Sequence, residues 1–204
     1  MQYAQLILII LALFLGSCSQ DNHSTELKDN ADTAQSKDSV YVFPSAMEMN
    51  QRLGHGINLG NALDAPNEGE WGVTLQADYF KWIADSGFAT VRIPVRWSAH
   101  ALEVAPYTID SVFFSRVQWA VDQAISNKLN VIINMHHYDT IMADPESQQA
   151  RFLAMWKQIA TRFKNYPPQL LFEVLNEPKN KLTAAKWDKL LLFYRIYSIF
   201  ALLF

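Results

Sequence analysis

Four short runs decide most of what this chain can fold into: GINLG (Gly56 to Gly60), TVRIPV (Thr90 to Val95), NVIINM (Asn130 to Met135) and LLFEVL (Leu170 to Leu175). Each is almost continuously apolar and rich in branched residues, the pattern of strands buried on both faces of a parallel sheet. They begin roughly 30 to 40 residues apart with helical patterns between them, which predicts four βα units. The first helix is expected to be capped by Thr74, to carry Leu75, Tyr79, Trp82 and Ile83 at helical spacing, and to stop near Gly87. Asp110 opens the second, with Phe113, Val117, Ala120, Val121 and Ala124 as its stripe. Asp144 and Pro145 open the third, with Phe152, Trp156, Ile159 and Phe163 turned inward. The helix tryptophans read as core.

Strand spacing alone fits an open doubly wound sheet or the first half of a barrel. A dinucleotide-binding sheet would need a glycine-rich turn after the first strand, and the segment there is instead NALDAPNEGEWGV. Polar groups follow each strand: Asn61 and Asp64 after the first, Arg92 within the second, His136 and His137 after the third, Asn176 and Glu177 after the fourth. In a parallel barrel all of these lie at the rim where loops vary without disturbing the core.

Glu177 ends an apolar run, so its carboxyl is expected to be partly desolvated and raised toward the range of a general acid. Asn176 offers a donor and an acceptor to a hydroxyl, and Glu173 is expected to pair deeper inside. Arg92 either positions a catalytic carboxylate or neutralises Glu173. His136 and His137 form a candidate metal pair, but adjacent strand residues face opposite ways and no carboxylate or cysteine sits at ligand spacing. Neither a metal nor any other cofactor is therefore expected. Trp71, Trp97 and Tyr138 are either sugar platforms or core.

LNEP after the fourth strand, RIPVRW on the second, NMHHY on the third and GINLGNALDAPNEGEWG around the first together resemble glycoside hydrolase family 5. The first loop and WSAH (Trp97 to His100) are similar to its cellulase and mannanase subgroup. The resemblance implies an α/β fold, a (β/α)8 barrel of which about the first four βα units are present. It implies a retaining endo-acting hydrolase of β-1,4-linked glucan or mannan, with Glu177 as general acid/base and Asn176 holding the sugar 2-hydroxyl. It also implies that Arg92 positions the nucleophile, that His136 binds hydroxyls of the same sugar, and that His137, Asn61 and Asp64 line neighbouring subsites. Asp64 stands where the subgroup more usually has Glu, which shortens its reach. The family's nucleophile is a glutamate on the seventh strand, so these residues correspond to the N-terminal half only and the chain by itself is expected to be inactive. A non-catalytic glycan-binding or relic lipoprotein is the second function class.

The chain's only cysteine, Cys18, follows the apolar run LILIILALFLGS. That run has the length of a signal-peptide core, and the LGSC order resembles a bacterial lipobox, which predicts a signal peptide over 1–17 and a lipid on Cys18. Residues 18–40 are polar and predict a flexible linker from a membrane to a catalytic domain over 41–204. The expected location is the bacterial cell envelope or beyond it. A formal net charge of -3 without basic runs speaks against nucleic acid as a partner. From about Lys189 onward the sequence LLLFYRIYSIFALLF lacks the wet face of an outer barrel helix and reads as the product of a truncated or frameshifted gene.

Overall fold

The computed structural model describes residues 41–201. The expected signal peptide, the linker and Cys18 lie outside the described residues. Four strands, β1 (Gly56–Asn58), β2 (Thr90–Ile93), β3 (Asn130–Asn134) and β4 (Leu170–Glu173), form one parallel sheet in chain order. A doubly wound sheet reverses its strand order beside the first strand. Here each strand lies next to its predecessor, with Asn58 opposite Arg92, Arg92 opposite Ile132, and Asn134 opposite Glu173, as in one wall of a barrel.

The strands are shorter than the apolar runs. β1 also departs from the expectation of burial on both faces, because all three of its residues are exposed at the edge of the described sheet. Alternation holds on the inner strands. Val91, Ile93, Val131 and Ile133 are fully buried in the core, together with Phe80, Val117, Val121, Phe152, Met155 and Ile159 of the helices. On the opposite face the same register carries Asn58, Arg92, Asn134 and Glu173 toward one another.

The helices are α1 (Ala46–Leu53), α2 (Ala77–Asp85), α3 (Ser111–Ser126), α4 (Asp139–Ala143), α5 (Pro145–Phe163) and α6 (Ala184–Ala201). Asp110 caps α3 through Phe113 N, and Asp144 caps α5 with Pro145 in its first turn, both as expected. Thr74 does not cap α2. The Leu75 N–H is taken by the Glu68 carboxylate at 2.8 Å, which keeps Leu75 in the loop, and the helix begins only at Ala77. Trp82 is not core either, being 59% exposed. Phe80 and Ile83 form the buried stripe of α2, and Trp82 points about 100° away from Ile83, where it leans on Tyr79 at a ring distance of 5.8 Å.

Helix α1 buries no residue and so has no apolar stripe to predict it, although Ser45 and Glu48 spell a complete capping box at its start. α6 runs through Lys189 without a break. It is fastened to α5 by an edge-on contact of Tyr194 with Trp156 at 5.5 Å and by a Lys186 to Glu146 ion pair of 2.8 Å. Among the described residues no helix is long and apolar enough to cross a membrane.

Candidate functional site

Backbone pairing continues past the strand ends and carries the rim residues with it. Leu59 N–H donates to Arg92 O at 2.8 Å, His136 N–H to Val95 O at 2.8 Å, and Asn176 N–H to Met135 O at 2.9 Å. Asn61, His137 and Glu177 then take φ values of 64°, 49° and 45°. Left-handed backbone is uncommon outside glycine, and these three instances turn the chain sharply after β1, β3 and β4.

Arg92 is the hub. Its Nε and Nη2 donate to the two oxygens of Glu173, each at 2.7 Å, its Nη1 donates to Asn58 Oδ1 at 2.9 Å, and Nη2 also reaches Asn176 Oδ1 at 2.9 Å. Glu173 pairs inside the sheet as the sequence led one to expect. Its fork onto Glu173 raises the Arg92 pKa further, despite partial burial. Burial alone would raise the Glu173 carboxyl, but the bonds from Arg92 and Asn134 outweigh it and hold the group below the usual carboxylate range. Because Asn176 Oδ1 is occupied by Arg92, its amide NH2 is the end left to donate. Gly60 belongs to this arrangement, since a Cβ there would stand 2.9 Å from Asn58 Nδ2.

Glu177 follows Asn176 and lies within electrostatic reach of Arg92. Contrary to the desolvation expected for it, the residue is exposed: the apolar strand ends at Glu173, and the left-handed turn at Glu177 leads the chain out of the sheet.

His136 and His137 do not face apart. They lie beyond the end of β3, where strand alternation no longer applies, and their rings meet edge to face at 4.5 Å. Asp64, distant in sequence, joins them from the first loop. It is buried, accepts the Ala62 N–H at 2.9 Å and approaches His137 Nε2 to 3.8 Å. Asp64, His136 and His137 thus bring ligand atoms within 4.8 Å of one another, the carboxylate that sequence spacing failed to supply. Burial first, then the charges of His137 and Arg92, push the His136 pKa down to about 4.

The three candidate aromatics part company. Trp97 and Tyr138 are core, with Trp97 Nε1 donating to Asn134 O at 3.0 Å. Trp71 is 40% exposed and edge-on to His137 at 5.4 Å, so it alone of the three borders the rim. The loop that carries it is pinned to α3 by Glu68, whose carboxylate takes two bonds from Arg116, while Arg116 itself lies 3.9 Å over the Trp119 ring. Asn58 and Asn134 belong to the site without any motif to mark them. Their signal was a polar residue at an inward position of an otherwise apolar strand.

The family model for cellulase (glycosyl hydrolase family 5) matches residues 54–196, extending past Lys189. Endoglucanase H of Acetivibrio thermocellus is 45% identical over 141 residues, which are 69% of this chain and 16% of that protein. Thermotoga maritima Cel5A in complex with cellobiose superposes with a TM-score of 0.71 at 50% identity, covering 76% of this chain and 49% of that one. The same enzyme in complex with mannotriose gives a TM-score of 0.71 at 49% identity over 76% and 49% of the two chains. The chain therefore spans about half the length of these solved structures and a smaller part of the endoglucanase.

Proposed function

Because the chain belongs to glycosyl hydrolase family 5, we propose that it supplies the proton-donating half of a retaining endo-β-1,4-glycanase acting on glucan, with mannan as a second substrate. The observation that carries this is the Arg92 fork: one guanidinium holds Glu173 and Asn176 together, so Asn176 meets a sugar hydroxyl with its amide NH2 while Glu177 stands next in the chain. In this reading Glu177 protonates the glycosidic oxygen as the bond to C1 breaks. It later removes a proton from the water that attacks C1. His136, His137, Asn61 and Asp64 line the subsites around the cleaved bond.

Retention needs a second carboxylate about 5 Å from the acid, to attack C1 as the leaving group departs. Among the described residues Glu173 and Asp64 are the other carboxylates near Arg92, and both are engaged, the first by Arg92 and Asn134 and the second by the Ala62 N–H. The nucleophile is assigned to the seventh strand of the family barrel, and hydrolysis to a chain that carries both halves. Cellobiose and mannotriose bound to Thermotoga maritima Cel5A support the two substrate classes.

Export is part of the proposal. The order of LILIILALFLGS and Cys18 supports a lipid anchor at the cell envelope, with 18–40 as the tether. The activity is tested by joining residues 41–201 to the second half of a family barrel and following reducing ends released from soluble β-1,4-glucan and mannan. Release from either supports the reading, and a folded chimera that binds both polymers without cutting them supports the glycan-binding alternative.

A further inference from the structure

Asn134 is fully buried at the end of β3, and each polar atom of its side chain is engaged. Oδ1 accepts the Val95 N–H at 3.3 Å, while Nδ2 donates to Glu173 Oε1 at 3.0 Å and lies 3.1 Å from His136 Nδ1. Turning the amide over would set its oxygen against a carboxylate and its NH2 against an N–H, replacing two bonds by two repulsions. The amide orientation is thereby fixed, with one hydrogen for Glu173 and the other for His136. A ring nitrogen that accepts this hydrogen carries no proton, so in the neutral imidazole the proton sits on Nε2. Burial and the neighbouring charges keep the ring neutral down to a pKa of about 4.

We propose that Asn134 is a positioning residue that locks His136 as its Nε2–H tautomer, so that the ring offers a hydrogen-bond donor at the rim it shares with Asp64 and His137. The occupant, a sugar oxygen that accepts this hydrogen, rests on the proposed function; the tautomer does not. The lock also sets the Asp64, His136 and His137 cluster against a metal held by Nε2. A metal-bound imidazole donates its other N–H to an acceptor, and Asn134 offers His136 a donor instead.

The test is nitrogen NMR of the 15N-histidine-labelled chain at pH 7, with cellobiose as the probe of the rim. The expected spectrum shows His136 Nδ1 as a bare nitrogen and Nε2 as an N–H. Asn134→Asp, which exchanges the donor for an acceptor, should move the proton to Nδ1 and weaken cellobiose binding at least tenfold. A wild-type His136 with its proton on Nδ1, or shared between both nitrogens, overturns the inference even if the variant fails to fold. So does an Asn134→Asp protein that folds and keeps the Nε2–H form. The expected tautomers without any cellobiose binding by the wild type would support the lock and contradict the sugar-binding reading.

Discussion

Arg92 and Glu173 meet through two parallel hydrogen bonds of 2.7 Å although β3 runs between their strands. The pair therefore ties β2 to β4 across an intervening strand, and the same guanidinium holds Asn176. Glu173→Gln keeps the shape but removes the charge, leaving a half-buried arginine with a weaker partner. The expected loss is about 2 kcal/mol, between the values for buried and for exposed pairs. Urea denaturation measures it, and a loss under about 0.5 kcal/mol would mean that Arg92 is held by Asn58 and Asn176 alone.

Acid should destabilise the fold from two sources of the same sign. The folded site resists protonating His136 until about pH 4, whereas an unfolded histidine binds its proton near 6.5, so stability present above pH 6.5 falls as the pH drops toward 4. Glu173 has a folded value below the usual 4.5, so the stability it contributes above that pH is lost as acidification proceeds through its folded value. Denaturation midpoints at pH 7, 5.5 and 4 should fall in that order, and His136→Gln should flatten the upper part of the fall. A midpoint that holds constant from pH 7 to 4 contradicts the His136 shift, and one that stays constant on further acidification below pH 4 contradicts the Glu173 shift.

The barrel wall was legible in the sequence because four nearly continuous apolar runs with helical patterns between them leave few alternatives, even though only β2 and β3 are largely buried. What escaped was set by contacts distant in sequence. Glu68 reaches forward to Leu75 and moves the start of α2, and Asp64 comes from the first loop to the histidines after β3. Glu177 is exposed, against the expectation from its apolar run, because the strand ends at Glu173 and not at Leu175 and a left-handed turn follows at Glu177. The strand order that separates a barrel from a doubly wound sheet is likewise invisible to spacing.

Trp71 and Trp97 should respond in opposite ways to alanine. Trp97 is fully buried, and Trp97→Ala should cost about 3–5 kcal/mol of stability. Trp71 is exposed beside His137, so Trp71→Ala should change stability by less than about 0.5 kcal/mol while weakening cellobiose binding. Calorimetric titration and thermal melts separate the two. Unchanged cellobiose affinity in Trp71→Ala would remove it from the subsites.

Lipidation of Cys18 is read by labelled palmitate in a bacterial host. The wild type should incorporate the label and stay with the membrane fraction, and Cys18→Ala should do neither. Equal release of both proteins into the medium would leave an ordinary secretory peptide.

Glu177, the chain neighbour of the Asn176 that Arg92 holds, is proposed to deliver the proton that breaks the glycosidic bond. This role is tested most directly by Glu177→Ala in the chimeric barrel, comparing polymeric β-1,4-glucan with an aryl cellobioside whose leaving group departs without protonation. Hydrolysis of the polymer should fall by about 10² to 10⁴ while formation of the glycosyl-enzyme from the aryl substrate is largely kept. A polymer rate within tenfold of the wild type would assign the acid to another residue.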